Sequence, residues 1–303
     1  MVNAGMFAEL EGQVTYNAVY IATAISAVFG TVLIGLLSNL PLAQASGMGL
    51  NAYFVYTVCF NLGLSYANAL VLVLADGIIF TLLTVTGLRK KIFDAIPSAV
   101  RMAIPAGIGL FIAFLGLQNA GIVVDSSTLV GLASFNLYSG NATWGTIMPM
   151  LVTIFAVLGI AILTKRGVKG AVLWGILGGA VAYYVLGFTV PGFYEGFFAG
   201  MSFNPFTAFQ EFAELSLFKV FTEGFDFSAY IAANGTGGFI VMFLTTALAF
   251  CMVDMFDTLG TLYGACARGN LLTKQGDVPN MDKAMLADAV ATTCGAICGT
   301  STV

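Results

Sequence analysis

Asp254 and Asp257 stand three residues apart inside GGFIVMFLTTALAFCMVDMFDTLGTLYG, Gly237–Gly264, a run long enough to cross a hydrocarbon core of roughly 30 Å. That spacing puts both carboxylates on one face of a helix. A carboxylate at such depth costs roughly 2.5 kcal/mol or more, so it normally faces a bundle interior or a solvated cavity and marks a substrate or proton route. The chemistry open to the pair is acceptance of N–H hydrogen bonds from a bound solute, and the gain and loss of a proton. A structural ion pair or a hydrogen-bonded cap is the competing reading of the same residues.

The elements that must hold this pair are membrane helices. Of 303 residues 59% are hydrophobic and 9% charged, with mean hydropathy +0.94, whereas soluble domains are roughly 25% charged. Glycine, at 36 residues, suits close helix packing in lipid. The net charge of −4 is dispersed, which argues against nucleic acid as a partner. Histidine is absent, removing the commonest metal ligand and acid–base group. Cys59, Cys251, Cys266, Cys294 and Cys298 form no paired framework. Cys294 and Cys298, at i and i+4, could hold a soft metal, but small apolar fillers are the simpler reading. No cofactor and no metal is implied. Met1–Gly12 lacks the basic start and short apolar run of a cleavable signal.

Hydropathy predicts spans at Val14–Asn39, Ser65–Thr86, Ala99–Gln118, Gly145–Lys165, Gly170–Val190, Gly237–Leu262 and Lys283–Cys298. Arg89, Lys90 and Lys91 share one loop; Lys165, Arg166 and Lys169 a second; Arg268, Lys274 and Lys283 a third. The positive-inside rule makes these loops cytoplasmic. Ala120–Thr143 has no Lys or Arg, and Pro191–Thr236 has only Lys219 against five acids, so both are external. Parity then demands an outward crossing between Leu40 and Gly63, where PLAQASGMGLNAYFVYTVCFNLG is too polar for a simple lipid-facing helix. An extended Pro41–Gly49 followed by a half helix from about Leu50 to Leu62 fits, since irregular backbone survives only beside protein or a solvated cavity. Broken helices of this kind build midplane sites in secondary transporters. A re-entrant loop or a glycine kink is the alternative.

Ala22–Gly30 and Ala287–Gly295 share Ala, Ala and Gly at matching offsets, and each precedes a Gly/Ser/Thr-rich stretch. Their spans run in opposite directions, as an inverted repeat requires. Met1 on the outer side, and CGTSTV stopping as a second polar stretch begins, read as a fragment of a longer transporter.

SNLPLAQASGMGLNAYF (Ser38–Phe54), MFDTLGTL (Met255–Leu262) and GTSTV (Gly299–Val303) resemble the xanthine/uracil permease superfamily, nearest to its azaguanine-type branch of hypoxanthine, guanine and adenine carriers. LTVTGLRKKIFDAIP (Leu83–Pro97) and AIPAGIGLFIAFLGLQNAGIV (Ala103–Val123) support the likeness, which is weakest over Pro191–Thr236. The resemblance implies an all-α polytopic membrane protein with an inverted-repeat (7+7) fold. About nine of fourteen spans would be present, with discontinuous spans at 40–63 and from 299. On that map residues 1–87 are core helices of the first repeat (spans 2–4), and 88–190 are gate helices (spans 5–7). Residues 191–236 are an external loop, and 237–303 begin the second-repeat core (spans 8, 9 and the start of 10).

The resemblance also implies site residues. Asp257 matches the span-eight acid that hydrogen-bonds the base, Asp254 a second acid one turn earlier, and Thr261 a polar position one turn later. Gly49 and Asn51 match span-three positions that approach the ligand, and Thr300, Ser301 and Thr302 match the extended opening of span ten. Asp257 and Asp254 are also the proton-coupling candidates. A further acid of the family falls beyond Val303, and Ser46 stands where the branch commonly has proline.

The function so implied is import of purine nucleobases by proton symport across the cell membrane. The partners are a purine, a proton and the lipid bilayer, with a homodimer left open. Uracil, xanthine or an inorganic anion is the alternative substrate class, although no Lys or Arg lies in the expected midplane to suit an anion. An integral-membrane enzyme lacks a nucleophile–base pair within the spans, and a channel lacks a filter repeat. Phe54, Phe250 and Phe256 are stacking candidates, but with 26 phenylalanines packing is the simpler role for each. Asp76 reads as a bundle-facing hydrogen-bonding group and Asp288 as an acid near a helix start. Asn141 and Asn234 fit glycosylation patterns that matter only in an extracytoplasmic eukaryotic setting.

Overall fold

The computed structural model describes residues 2–87, 97–127, 129–136, 142–189, 205–274 and 276–302. The elements are α1 (Val2–Ala8), α2 (Tyr16–Ser38), α3 (Met48–Ala52, continued as a π-helical stretch, Tyr53–Asn61), α4 (Tyr66–Val85), α5 (Ser98–Asn119), β1 (Val123–Ser126), β2 (Leu129–Leu132), α6 (Trp144–Lys165), α7 (Ala171–Thr189), α8 (Pro205–Leu215), α9 (Lys219–Thr222), α10 (Ser228–Arg268) and α11 (Met281–Cys298). Among the described residues five helices are long and apolar enough to cross a membrane, namely α2, α4, α6, α7 and α10. The chain is an all-α polytopic membrane protein. Many large apolar side chains on these helices are exposed, as a lipid-facing surface requires, with Leu36 78% and Phe188 75% exposed. The basic loop at Arg89–Lys91, Glu195 and Asn141 lie outside the described residues.

Two compact units form, residues 1–109 with 204–303, and residues 110–203. In the first, α11 packs on α2 and α4. The face α2 turns inward is a ladder of mostly small residues four apart, with Ala18, Ala22, Ser26, Gly30 and Ile34 all buried. That spacing is one helix face, and small residues let backbones approach closely. A Cβ on Gly30 would lie 3.0 Å from the Ala291 Cβ of α11, and one on Gly77 of α4 would lie 2.9 Å from Thr293 N. One apolar cluster gathers Phe7, Leu50, Phe54, Leu70 and Phe250, and a second gathers Ile34, Phe80, Met255, Leu259 and Met285. In the second unit β1 pairs antiparallel with β2, Val123 opposite Leu132, and α6 packs on α7 with Gly179 against Ala156.

Two expectations need revision. The stretch 191–236 is not a plain loop over its described part, because α8, α9 and the start of α10 occupy it. Side chains tie it down: Thr15 Oγ1 donates to Glu211 Oε2 at 2.7 Å, and Asn68 Nδ2 donates to Gly224 O at 2.8 Å and Asp226 O at 2.9 Å. Ser228 hydrogen-bonds Asp226 through its side chain and its N–H, holding that exposed carboxyl below its usual range. Gly235 (φ 74°, ψ 164°) breaks α10, so the segment carrying Asp254 and Asp257 starts beyond it, as the expected span from Gly237 has it. Finally, α11 begins at Met281, which puts Asp288 in mid-helix and not near a helix start; the acid of its first turn is Asp282.

Candidate functional site

Two helices stop early, each for a local reason. The C-cap of α2, Asn39, is left-handed (φ 56°, ψ 35°), and Pro41 cannot extend the helix. Residues 39–47 therefore run without regular structure until α3 begins at Met48, close to the expected half-helix start near Leu50. At the end of α11, Gly299 takes φ 89°, ψ 34°. A Cβ there would lie 2.6 Å from Ser216 O and 2.7 Å from Tyr66 Oη, so glycine alone fits. Residues 300–302 continue unwound.

The two unwound stretches meet. Gly47 N–H donates to Thr302 O at 3.3 Å. Ser301 Oγ donates to Asn51 Oδ1, and Asn51 Nδ2 donates to Ser46 Oγ at 2.7 Å. Ser46, Asn51, Thr300, Ser301 and Thr302 are all buried. These bonds satisfy backbone and side-chain groups that water cannot reach at membrane depth.

Asp257 reaches the crossing from α10. A Cβ on Gly47 would lie 2.9 Å from Asp257 Oδ2 and 3.5 Å from Thr302 Oγ1. Thr302 Oγ1 is buried with no hydrogen-bond partner among the described residues. A half-buried carboxylate, an approachable glycine backbone and a hydroxyl with spare capacity thus converge, an arrangement able to take a small solute with both donors and acceptors.

The remaining expected residues divide. Asp254 is buried one turn earlier, and its carbonyl lies 2.8 Å from Thr258 Oγ1. Gly49 is half-buried in the first turn of α3, its carbonyl accepting from Tyr53 N–H. Thr300 is tied to Asn3 and Thr23. Thr261 is not brought into the cluster: it is exposed, and its hydroxyl donates to Asp257 O of its own helix at 2.7 Å. Phe54 and Phe250 are core residues, packed on Phe7 (ring centroids 4.7 Å apart) and Tyr53 (5.0 Å), and Phe256 packs against the second cluster. Asp76 is fully buried in the bundle.

Sequence reasoning missed the clamp on the first unwound stretch. Gln44 Nε2 donates to Asp288 Oδ1 at 2.5 Å, and Thr258 Oγ1 donates to Asp288 Oδ2 at 2.6 Å. Gln44 N–H donates to Thr31 Oγ1 at 3.0 Å, and a Cβ on Gly30 would collide with the Gln44 amide oxygen. One buried carboxylate thereby joins the stretch beside Gly47 to the helix carrying Asp257. Among the described residues no group of three or more Cys, Asp or Glu could hold a metal ion.

A family model of the xanthine/uracil permeases, a permease family, matches residues 1–303. The chain is similar to a putative permease of Methanocaldococcus jannaschii, 38% identical over 289 residues, which are 95% of this chain and 58% of that protein. It is 35% identical over 295 residues to the guanine/hypoxanthine permease PbuO of Bacillus subtilis, 95% of this chain and 60% of that one. The adenine permease AdeP of Escherichia coli is 29% identical over 288 residues, 95% and 57%. The chain therefore spans under two thirds of the length of these relatives, which are named as permeases and not as enzymes. Matched from its first residue to its last, the chain belongs to the xanthine/uracil permease family and is a multi-pass protein of the cell membrane.

Proposed function

We propose that the chain supplies the substrate core of a secondary transporter that imports purine nucleobases, hypoxanthine, guanine or adenine, by proton symport. The observation that carries this reading is the convergence of Asp257, Gly47 and Thr302 where the two unwound stretches meet. A purine is planar and presents ring N–H donors beside nitrogen and oxygen acceptors. The Asp257 carboxylate accepts from the donors. Thr302 Oγ1 and the first-turn N–H groups of α3 around Gly49 serve the acceptors, helped by the positive end of the helix dipole. Asn51, Ser301 and Thr300 spend their polar groups on protein partners, so in this reading they hold the wall of the site while Asp257 and Thr302 touch the base. Asp254 and Asp257 couple protons by linkage: the protonation state that binds the base better draws its proton along. The relatives named for guanine, hypoxanthine and adenine support this substrate class. In the same reading residues 1–87 and 237–303 form the core and 88–190 the gate.

Competition decides the substrate. With the complete reading frame expressed in a host lacking purine uptake, labelled hypoxanthine should enter saturably and be displaced by guanine or adenine. Displacement by uracil or xanthine alone would assign the site to another nucleobase.

A further inference from the structure

We infer that Asn3 is a positioning residue for the second unwound stretch: acting through Thr300, it sets where Ser301 and Thr302 stand, and so governs purine affinity from α1 without touching the base. The inference rests on the purine reading above. Helix α1 is anchored independently of Asn3, because Ala4, Met6 and Phe7 are buried in the first apolar cluster and the Phe7 ring packs tilted against Phe54. Asn3 itself is buried, and both donors of its amide are used, on Thr23 Oγ1 at 2.7 Å and Thr300 Oγ1 at 3.0 Å. Thr23 Oγ1 gives its own proton to Val19 O at 2.7 Å. The 3.2 Å contact between the two threonine hydroxyls must then run from Thr300 to Thr23. Every proton in the triad is thereby committed, and the Thr300 side chain is fixed in one orientation.

That matters because the stretch is short. Tyr66 Oη grips Gly299 O at 2.5 Å, the triad grips Thr300, Asn51 grips Ser301, and Gly47 N–H grips Thr302 O. Thr300 is the residue immediately before the two that lie at the crossing with Gly47 and Asn51. Without the Asn3 amide, both threonine hydroxyls lose a donor, the Thr300 side chain can turn, and Ser301 and Thr302 lose their register against Asn51 and Gly47.

The test uses the purified protein from the complete reading frame, with binding of labelled hypoxanthine and backbone hydrogen exchange as readouts. Asn3→Ala is expected to weaken binding about tenfold, the scale of one buried hydrogen bond. It is also expected to speed exchange at Gly47 N–H, whose acceptor is Thr302 O, while amides of α6 and α7 stay as in the parent. Thr300→Val removes the Asn3–Thr300 bond from the other side and serves if Asn3→Ala does not fold. Asn3→Ala combined with Thr300→Val should bind no more weakly than Thr300→Val alone, because Asn3 reaches the stretch only through Thr300. Parental affinity and exchange in Asn3→Ala, a fall in thermal stability with affinity unchanged, or additive losses in the double variant would each overturn the inference. Faster exchange at Gly47 in a protein that binds no purine would sink the substrate reading and leave the positioning role standing.

Discussion

Gly47→Ala isolates the site from the fold. The residue has φ −71°, ψ 110°, a conformation open to alanine, so backbone strain is absent. Reducing unfolded-chain freedom at such a position stabilises by about 0.4–1 kcal/mol. Against this, the new methyl would sit 2.9 Å from Asp257 Oδ2, while ordinary contacts begin at 3.4 Å, so the carboxylate must move by about 0.5 Å. The atom displaced is the end of a flexible side chain, which can yield without disturbing the fold. Thr302 Oγ1 at 3.5 Å and Leu50 Cδ1 at 3.9 Å need not move. Misplacing a reacting or binding group by about 1 Å costs about 100-fold, so half that distance is worth about tenfold on a logarithmic scale. The expected result is a protein with parental thermal stability in detergent and hypoxanthine affinity reduced about tenfold in equilibrium binding. Unchanged affinity would refute the placement of the base between Asp257 and Gly47. A collapse in stability would refute the claim that the carboxylate absorbs the methyl.

Three other outcomes are expected. Asp288→Asn keeps one acceptor oxygen and sets an amide donor against either Gln44 or Thr258, so thermal stability should fall by about 1.5–3 kcal/mol and uptake with it; a parental melt would mean that this clamp is not stabilising. Gly299→Ala combines a left-handed backbone, costing about 1–2 kcal/mol, with a Cβ 2.6 Å from Ser216 O; lower yield of folded protein in the membrane checks it. Proton coupling predicts that an acid-outside gradient across proteoliposomes accelerates uptake and that a protonophore abolishes the acceleration; indifference to both would leave the carboxylates with binding alone.

Legibility from the sequence followed energetic cost. Asp257 was visible because a carboxylate inside an apolar run is expensive wherever it faces, and the break at 40–63 because its polar residues could not face lipid. The start of α3 at Met48 and the unwound residues after Gly299 match those arguments. Contacts between distant segments were not legible. Asn3 and Thr300 are 297 positions apart, and Gln44 and Asp288 are 244 apart; nothing local in either pair announces its partner. Thr261 entered through the family likeness and not through geometry, and its exposed hydroxyl is used on its own helix. Helices α8 and α9 were missed because one is short and both depend on tertiary bonds to Thr15 and to the end of α11, where Phe218 N–H donates to Ile297 O at 3.0 Å.

The most direct measurement is labelled-hypoxanthine binding and uptake by Asp257→Asn beside the parent, both from the complete reading frame reconstituted in proteoliposomes. Asparagine keeps the size of the side chain and removes a costly charge, so the variant should insert and remain folded. Losing a carboxylate that accepts the N–H groups of the base should cut binding and uptake by about 100-fold or more. Near-parental transport by Asp257→Asn would contradict the account.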